Sequence, residues 1–231
     1  MNYDRMNTID LIIFDMDGTL YEYENGVDDL SKTPMSKEIF KNGAEFIANK
    51  FFISTTNAEK LIDDLKIKYN NEIAIGLNIE YGIDIEEFLN AAWYVDPSKY
   101  IKYRRNLRKF LLSFKQKKAV LTASPQIWAE KLLHYLDIYD IFDGVWARNN
   151  KLRKPDLKLY KIILSYFNVK PEKTMVIEDN NEFLKQPKEL GMHTVLISKN
   201  SIFDKSKYAD FIVRNIIEID QIHELIKTNK K

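Results

Sequence analysis

The stretch Leu11-Ile12-Ile13-Phe14-Asp15-Met16-Asp17-Gly18-Thr19-Leu20-Tyr21 decides the fold. The short apolar run Ile9–Phe14 leads into its turn and reads as a buried strand. Such strands belong to parallel sheets covered by helices, where ligands bind beyond the carboxyl ends. The run ends in a polar, glycine-containing turn, which makes Asp15 and Asp17 the first candidates for chemistry. Two carboxylates at this spacing can hold a hard cation such as Mg²⁺ through oxygen, or one can attack an electrophile while the other moves a proton. Asp-x-Asp-Gly is also an ordinary turn with side-chain caps, so its surroundings must decide.

Outward from this turn the pattern changes twice. From Glu22 to about Tyr103 apolar residues recur at helical spacing, through Ile39, Ala44, Phe46 and Ile47, then Leu61, Ile62 and Leu65, with no convincing strand. From about Leu107 helices (Leu107–Phe114, Gln126–Leu136, Asp156–Phe167, one ending near Gly191) alternate with strands (Ala119–Leu121, Phe142–Trp146, Met175–Ile177, Thr194–Ile197). A strand at Asp210–Val213 and a helix at Ile219–Ile226 follow. Alternation of this kind means a parallel sheet with helices on both faces. The spacing predicts an α/β, Rossmann-like core of residues 1–21 and 106–231, split by an α-helical module of residues 22–105 inserted after the first strand.

Composition narrows the function classes. The 231 residues are 45% hydrophobic and 30% charged, as in ordinary soluble globular proteins. No apolar run approaches the ~20 residues of a membrane helix, and the first ten residues lack a signal-peptide core. With no Cys there are neither disulfides nor thiolate metal sites, so a cytoplasmic location is expected. Thirty-five basic against thirty-four acidic residues give a net charge of +1, which offers no general attraction for nucleic acid or an anionic membrane. Any anion chemistry must be local.

Three further features fall at predicted strand ends. Thr122, before Ala123, ends a strand; a hydroxyl and backbone N–H groups at a strand-to-helix turn suit phosphate oxygens, although Ser124-Pro125 also reads as a plain N-cap with Pro at the first helical position. Lys154, in Arg153-Lys154-Pro155-Asp156, could neutralise a phosphate and a nearby aspartate, with Pro155 starting the next helix. Glu178-Asp179 follows Met175-Val176-Ile177 and repeats the logic of the first turn. Each alone has an ordinary structural explanation; all four at one edge of one sheet do not.

These residues resemble the haloacid dehalogenase-like hydrolase superfamily over nearly the whole chain. Phe14-Asp15-Met16-Asp17-Gly18-Thr19-Leu20-Tyr21 is similar to motif I, Thr122 to motif II, Lys154 to motif III and Glu178-Asp179 to motif IV. Tyr81-Gly82-Ile83-Asp84, Phe88-Leu89, Phe142-Asp143-Gly144, Lys154-Pro155-Asp156 and Leu190-Gly191-Met192 look most like the pyrimidine 5'-nucleotidase subgroup. That subgroup often has Asn in place of Gly18 and Ala123, Asp in place of Glu178, and Ser and Asn in place of Asn180 and Phe183. Gly18 is also widespread among sugar-phosphate and other small-metabolite phosphatases of the superfamily.

The resemblance implies hydrolysis of a small phosphate monoester by two phosphoryl transfers. Asp15 would be the nucleophile, and Asp17 the acid and then the base. Mg²⁺ would be held by Asp15, the Asp17 carbonyl and Asp179, with Glu178 and Asn180 supporting it from outside or through water. Thr122 and the Ala123 amide would bind phosphate oxygens, and Lys154 would offset charge on phosphate and nucleophile. The superfamily's dehalogenases lack the second aspartate. A pyrimidine nucleoside 5'-monophosphate comes first as substrate and a sugar phosphate second. A non-catalytic binding module of the same fold is the alternative from another class. No nucleic acid or membrane partner is expected, and the protein would be a monomer or homodimer.

The inserted helices would form a cap that sets specificity, where Tyr21, Tyr23, Trp93 or Tyr94 could stack on a base or simply pack in the core. Lys99 to Lys118 carries nine basic residues and no acid. With Leu107, Phe110, Leu111 and Phe114 at helical spacing, it reads as the solvated face of an amphipathic helix. His134, His193 and His223 are scattered and read as structural, and Met1–Arg5 and Lys227–Lys231 as frayed ends.

Overall fold

In the computed structural model, residues 9–23, 30–103, 105–149, 153–198 and 206–219 are described. Six parallel strands form one sheet: β1 (Leu11–Phe14), β2 (Lys117–Pro125), β3 (Gly144–Arg148), β4 (Thr174–Glu178), β5 (His193–Ile197) and β6 (Phe211–Val213). Their order is β3-β2-β1-β4-β5-β6, so β1 lies at the centre with β2 and β4 on its flanks. The strand order reverses its direction of growth at β1, which is where a doubly wound sheet opens a crevice for ligands. The fold is α/β and Rossmann-like.

Side chains alternate across β1. Ile12 and Phe14 join one apolar cluster with α5 (Arg105–Ser113) and α6 (Gln126–Tyr135). Leu11 and Ile13 join a second cluster with α7 (Leu157–Phe167) on the opposite face. A short helix, α8 (Lys185–Glu189), precedes β5. All four residues of β1 are buried, as a continuous apolar run requires.

Between β1 and β2 lie four helices, α1 (Pro34–Phe51), α2 (Thr55–Lys68), α3 (Ile73–Tyr81) and α4 (Ile85–Ala92). They close on a third apolar cluster that includes Ile47, Ile62, Leu65, Leu77 and Phe88. Each helix start has a local cause where a cap is present: Thr33 accepts from Ser36 N with Pro34 in the first turn, Ser54 accepts from Asn57 N, and Asp84 from Glu87 N. Gly82 ends α3 in the left-handed region at φ 68°.

Some boundaries differ from the sequence pattern. β3 begins at Gly144, later than Phe142, because Asp143 Oδ2 accepts from Lys118 N (2.8 Å) and the Phe142 ring packs edge-on to Phe14. β2 runs through Ser124 to Pro125 with a register shift after Leu121, so Ser124 is not a helix cap. Pro155 is not the first residue of α7; Asp156 is its N-cap, accepting from Lys158 N (2.8 Å), and the helix starts at Leu157. The helix expected at Ile219–Ile226, His223 and both chain ends lie outside the described residues, except Ile219 itself.

The basic stretch behaves as its periodicity predicts. Leu107, Leu111 and Phe114 are buried, while Arg108 forks onto Asp140 (2.6 and 2.7 Å) and the Asp137 carbonyl (2.6 Å). His134 stacks on Tyr139, and His193 Nε2 lies 3.2 Å from the Glu172 carbonyl. No helix among the described residues is long and apolar enough to cross a membrane.

Candidate active site

Asp15 is the first residue past β1, yet its N–H still donates to Ile177 O of β4 (2.8 Å), which fixes the start of the turn. The chain then folds back through bonds from Thr19 N and Leu20 N to Met16 O. Gly18 sits at φ +83°, and a Cβ built there would lie 1.9 Å from Asp179 Oδ2. Backbone sign and space therefore both demand glycine, and its missing side chain is what lets the end of β4 approach the first turn.

Lys154 arrives from the loop after β3. Its Nζ donates to Asp15 Oδ1 (2.6 Å) and reaches both Glu178 oxygens (3.2 and 3.3 Å). All three side chains are buried, which charged groups tolerate only when paired and hydrogen-bonded. Burial alone would lower the Lys154 ammonium, but the charges of Asp15 and Glu178 outweigh it and hold it above its ordinary range. Phe183 adds a ring face 5.4 Å from Nζ, and its carbonyl accepts from Tyr160 OH (3.2 Å).

Asp17 is held differently. Its Oδ1 accepts from Tyr21 OH (2.8 Å) and Trp128 Nε1 (2.8 Å), and its Oδ2 from Ser124 Oγ (2.8 Å) and Thr122 Oγ1 (3.1 Å). Burial and the nearby Asp15 charge raise its pKa; the bonds from Trp128, Ser124 and Tyr21 pull the other way. Such opposition suits a group that must both give and take a proton. Tyr23 packs edge-on to Tyr21, with its hydroxyl pushed up by burial and by the charge of Asp17.

Asp15, Glu178 and Asp179 offer oxygens within 4.8 Å of one another. Burial, then the charge of Asp15, raises Glu178 well above the usual carboxylate range and pushes Asp179 up to about 8. Three converging carboxylates with one ammonium among them are short of positive charge, and an all-oxygen donor set fits a hard divalent cation such as Mg²⁺. The Asp17 carboxylate is committed to four donors.

The structure thus brings Asp15, Asp17, Thr122, Lys154, Glu178 and Asp179 to one edge of the sheet, and Ala123 lies exposed beside them. One placement is closer than expected, and the surroundings of two other residues are defined. Glu178 joins the carboxylate cluster directly, and Asn180 Oδ1 accepts from Glu182 N (3.0 Å) and caps the turn at Asn181–Leu184. The Thr122 hydroxyl is engaged on both sides, donating to Asp17 and accepting from Ser124 N (3.0 Å). Sequence reasoning missed Trp128, Ser124, Tyr160 and Phe183. The available signal for Trp128 was its place in the first turn of the helix that leaves the β2 end.

A family model described as haloacid dehalogenase-like hydrolase matches residues 9–201. The chain belongs to that family and is a hydrolase. It is 24% identical over 226 residues, 95% of this chain and 99% of the relative, to a phosphorylated carbohydrates phosphatase of Thermotoga maritima. Among solved structures, a HAD phosphatase from Thermococcus onnurineus superposes with TM-score 0.67 at 20% identity, covering 93% of this chain and 98% of that one. The L-2-haloacid dehalogenase of Xanthobacter autotrophicus gives TM-score 0.58 at 12% identity, covering 94% and 99%. At these identities the structural likeness shows the fold alone.

Proposed function

We propose that the protein is a Mg²⁺-dependent phosphatase of small phosphate monoesters, phosphorylated carbohydrates first, acting through an aspartyl phosphate on Asp15. The observation that carries this reading is the pairing of two unlike carboxylates: Asp15 bonded to a buried ammonium, and Asp17, two residues on, ringed by four donors. The Thermotoga maritima relative supports carbohydrate esters among possible substrates. The second aspartate favours phosphate esters over haloacids, since leaving alkoxides need a proton and halides do not.

In the first step an Asp15 oxygen bonds to phosphorus, the ester P–O bond breaks, and Asp17 gives its proton to the leaving alkoxide. In the second Asp17 takes a proton from water, the water oxygen bonds to phosphorus, and the Asp15–phosphorus bond breaks to release inorganic phosphate. Lys154 lowers the repulsion between Asp15 and the phosphoryl oxygens. Thr122, freed from Asp17, and the exposed Ala123 amide bind those oxygens. Mg²⁺, held by Asp15, Asp179 and the Asp17 carbonyl with Glu178 beside them, would supply the remaining positive charge.

The division at residues 22–105 belongs to the same proposal: α1–α4 act as a cap over the sheet edge and choose the leaving group, and the enzyme works in the cytoplasm. A cavity of about 520 Å³ among these helices, lined by Phe40, Phe88, Trp93 and Arg148, favours a second substrate reading, a pyrimidine nucleoside 5'-monophosphate whose base stacks there.

The test is phosphate release from an aryl phosphate and from a panel of sugar phosphates and nucleotides, with and without Mg²⁺. Turnover that requires Mg²⁺ and falls on the order of 10⁴-fold or more in Asp15→Asn is expected. Silence of the pure protein across the whole panel would overturn the reading in favour of a non-catalytic module.

A further inference from the structure

Glu72, in the turn between α2 and α3, is shared by two arginines of the sheet-bearing part. Arg148 Nη2, at the end of β3, lies 2.5 Å from Glu72 Oε2, and Arg153 Nη1, next to Lys154, lies 3.2 Å from the same oxygen. Among the described residues, these are the ion pairs that join α1–α4 to the sheet. Two guanidiniums on one carboxylate leave an excess positive charge, and ten N–H donors by their chemistry face a partner with two oxygens. Asp156 borders the cavity that these arginines line and offsets part of this charge while its Oδ1 caps α7, and Lys154 is held by Asp15 and Glu178, so the two guanidiniums still outnumber the one carboxylate paired with them.

The two arginines also line open space. Both border a cavity of about 580 Å³ whose other walls include Lys154, Pro155 and, from the helical insert, Ile75 and Ile85. That volume suits a small metabolite. Arg148 in addition borders the aromatic cavity near Trp93. Their side chains are 20% and 44% exposed, so both are reachable from solvent.

We propose that Arg148 and Arg153 bind a second anionic group of the substrate, a carboxylate or phosphate carried on the leaving alcohol, and that Glu72 is the internal carboxylate this group replaces. The proposal rests on the phosphatase reading and narrows its substrate class to phosphate esters with a further negative charge. Planar guanidiniums match such groups in bidentate fashion. Lys154, which donates to Asp15, also borders this cavity, so the subsite adjoins the residue that holds the nucleophile.

The experiment compares kcat/KM for paired substrates: a hexose bisphosphate against the matching monophosphate, and phosphoglycerate against glycerol phosphate. The full chain and its Arg148→Gln, Arg153→Gln and Glu72→Gln variants are assayed at fixed Mg²⁺, with folding checked by thermal melting. The native protein is expected to prefer the second-anion member of at least one pair by about tenfold or more. Either arginine variant should lower that preference about tenfold, chiefly through KM, and Glu72→Gln should raise it. Arg153 lies exposed on a loop, so its variant keeps the test valid if Arg148→Gln does not fold. A ratio unchanged by the arginine variants, or an equal fall for both members of each pair, overturns the proposal and makes the ion pairs a strut. Hydrolysis of singly substituted esters with no preference for a second anion defeats this inference alone; no hydrolysis of any ester defeats the phosphatase reading and this inference with it.

Discussion

Asp17 shows how much positioning a single buried carboxylate can demand. Four donors from three parts of the chain converge on it: Tyr21 from its own turn, Thr122 and Ser124 from the β2 end, and Trp128 from α6. Replacing Asp17 with Asn should lower kcat by ~10² to 10⁴-fold, the usual span for lost acid–base help. Trp128→Phe, which keeps the ring packing and removes one charge-assisted bond, should lower kcat about tenfold with KM little changed. Steady-state kinetics on an aryl phosphate separate the two. Gly18→Ala should cost about 1–2 kcal/mol from the backbone alone. Because its Cβ would displace Asp179, it should also raise the Mg²⁺ concentration needed for half-maximal activity; an unchanged Mg²⁺ dependence would mean that Asp179 is not a ligand. Asp15, Thr122, Glu178 and Asp179 are legible in sequence because each lies where an apolar run gives way to polar residues, and Lys154 because it precedes Pro155 and the start of a helix. Trp128 and Phe183 are not, since their roles depend on how a helix or turn rolls against the sheet, which no periodicity records.

At the scale of elements, the strand and helix types follow from period, and the discrepancies come from side chains that intercept backbone groups. Asp143 takes the N–H of Lys118 and so delays β3. Asp210 does the same at the sheet edge, accepting from Thr194 N (3.0 Å), Thr194 Oγ1 (3.0 Å) and Lys188 just before β6 begins. Burial acts to raise Asp210, and the Lys188 ammonium with the Thr194 N–H outweighs it, leaving the carboxyl below its ordinary value. A carboxyl depressed on folding contributes stability above its unfolded pKa of about 3.9, and that stability is lost as pH falls through the lower folded value. Asp210→Asn should therefore destabilise the protein by about 1–3 kcal/mol at neutral pH, and by less once the pH is well below 4. Urea midpoints at the two pH values measure this; an equal loss at both would show that the charge of Asp210 contributes nothing.

Over the whole molecule, three apolar clusters hold the two faces of the sheet and the helical insert. Phe14 sits in the first, fully buried at the end of the central strand and edge-on to Phe142. Phe14→Ala should cost about 3–5 kcal/mol in chemical denaturation, and a loss under about 1 kcal/mol would mean that the site collapses freely. The parallel, helix-covered sheet was readable from the alternation after Leu107. The ion pairs from Glu72 to Arg148 and Arg153 were not, because they join residues far apart in sequence across a boundary that composition does not mark. The central place of β1 has a consequence for synthesis. On the ribosome Leu11–Phe14 emerges first, but its neighbour β2 is absent until Lys117–Val120 is made, and β4 until Thr174–Ile177. At about 5–20 residues per second, the most apolar strand of the sheet waits roughly 5 to 20 s for its first partner. During that interval the nascent chain carries an unpaired adhesive edge, and a chaperone that shields short hydrophobic segments should matter more to its yield than to its final stability.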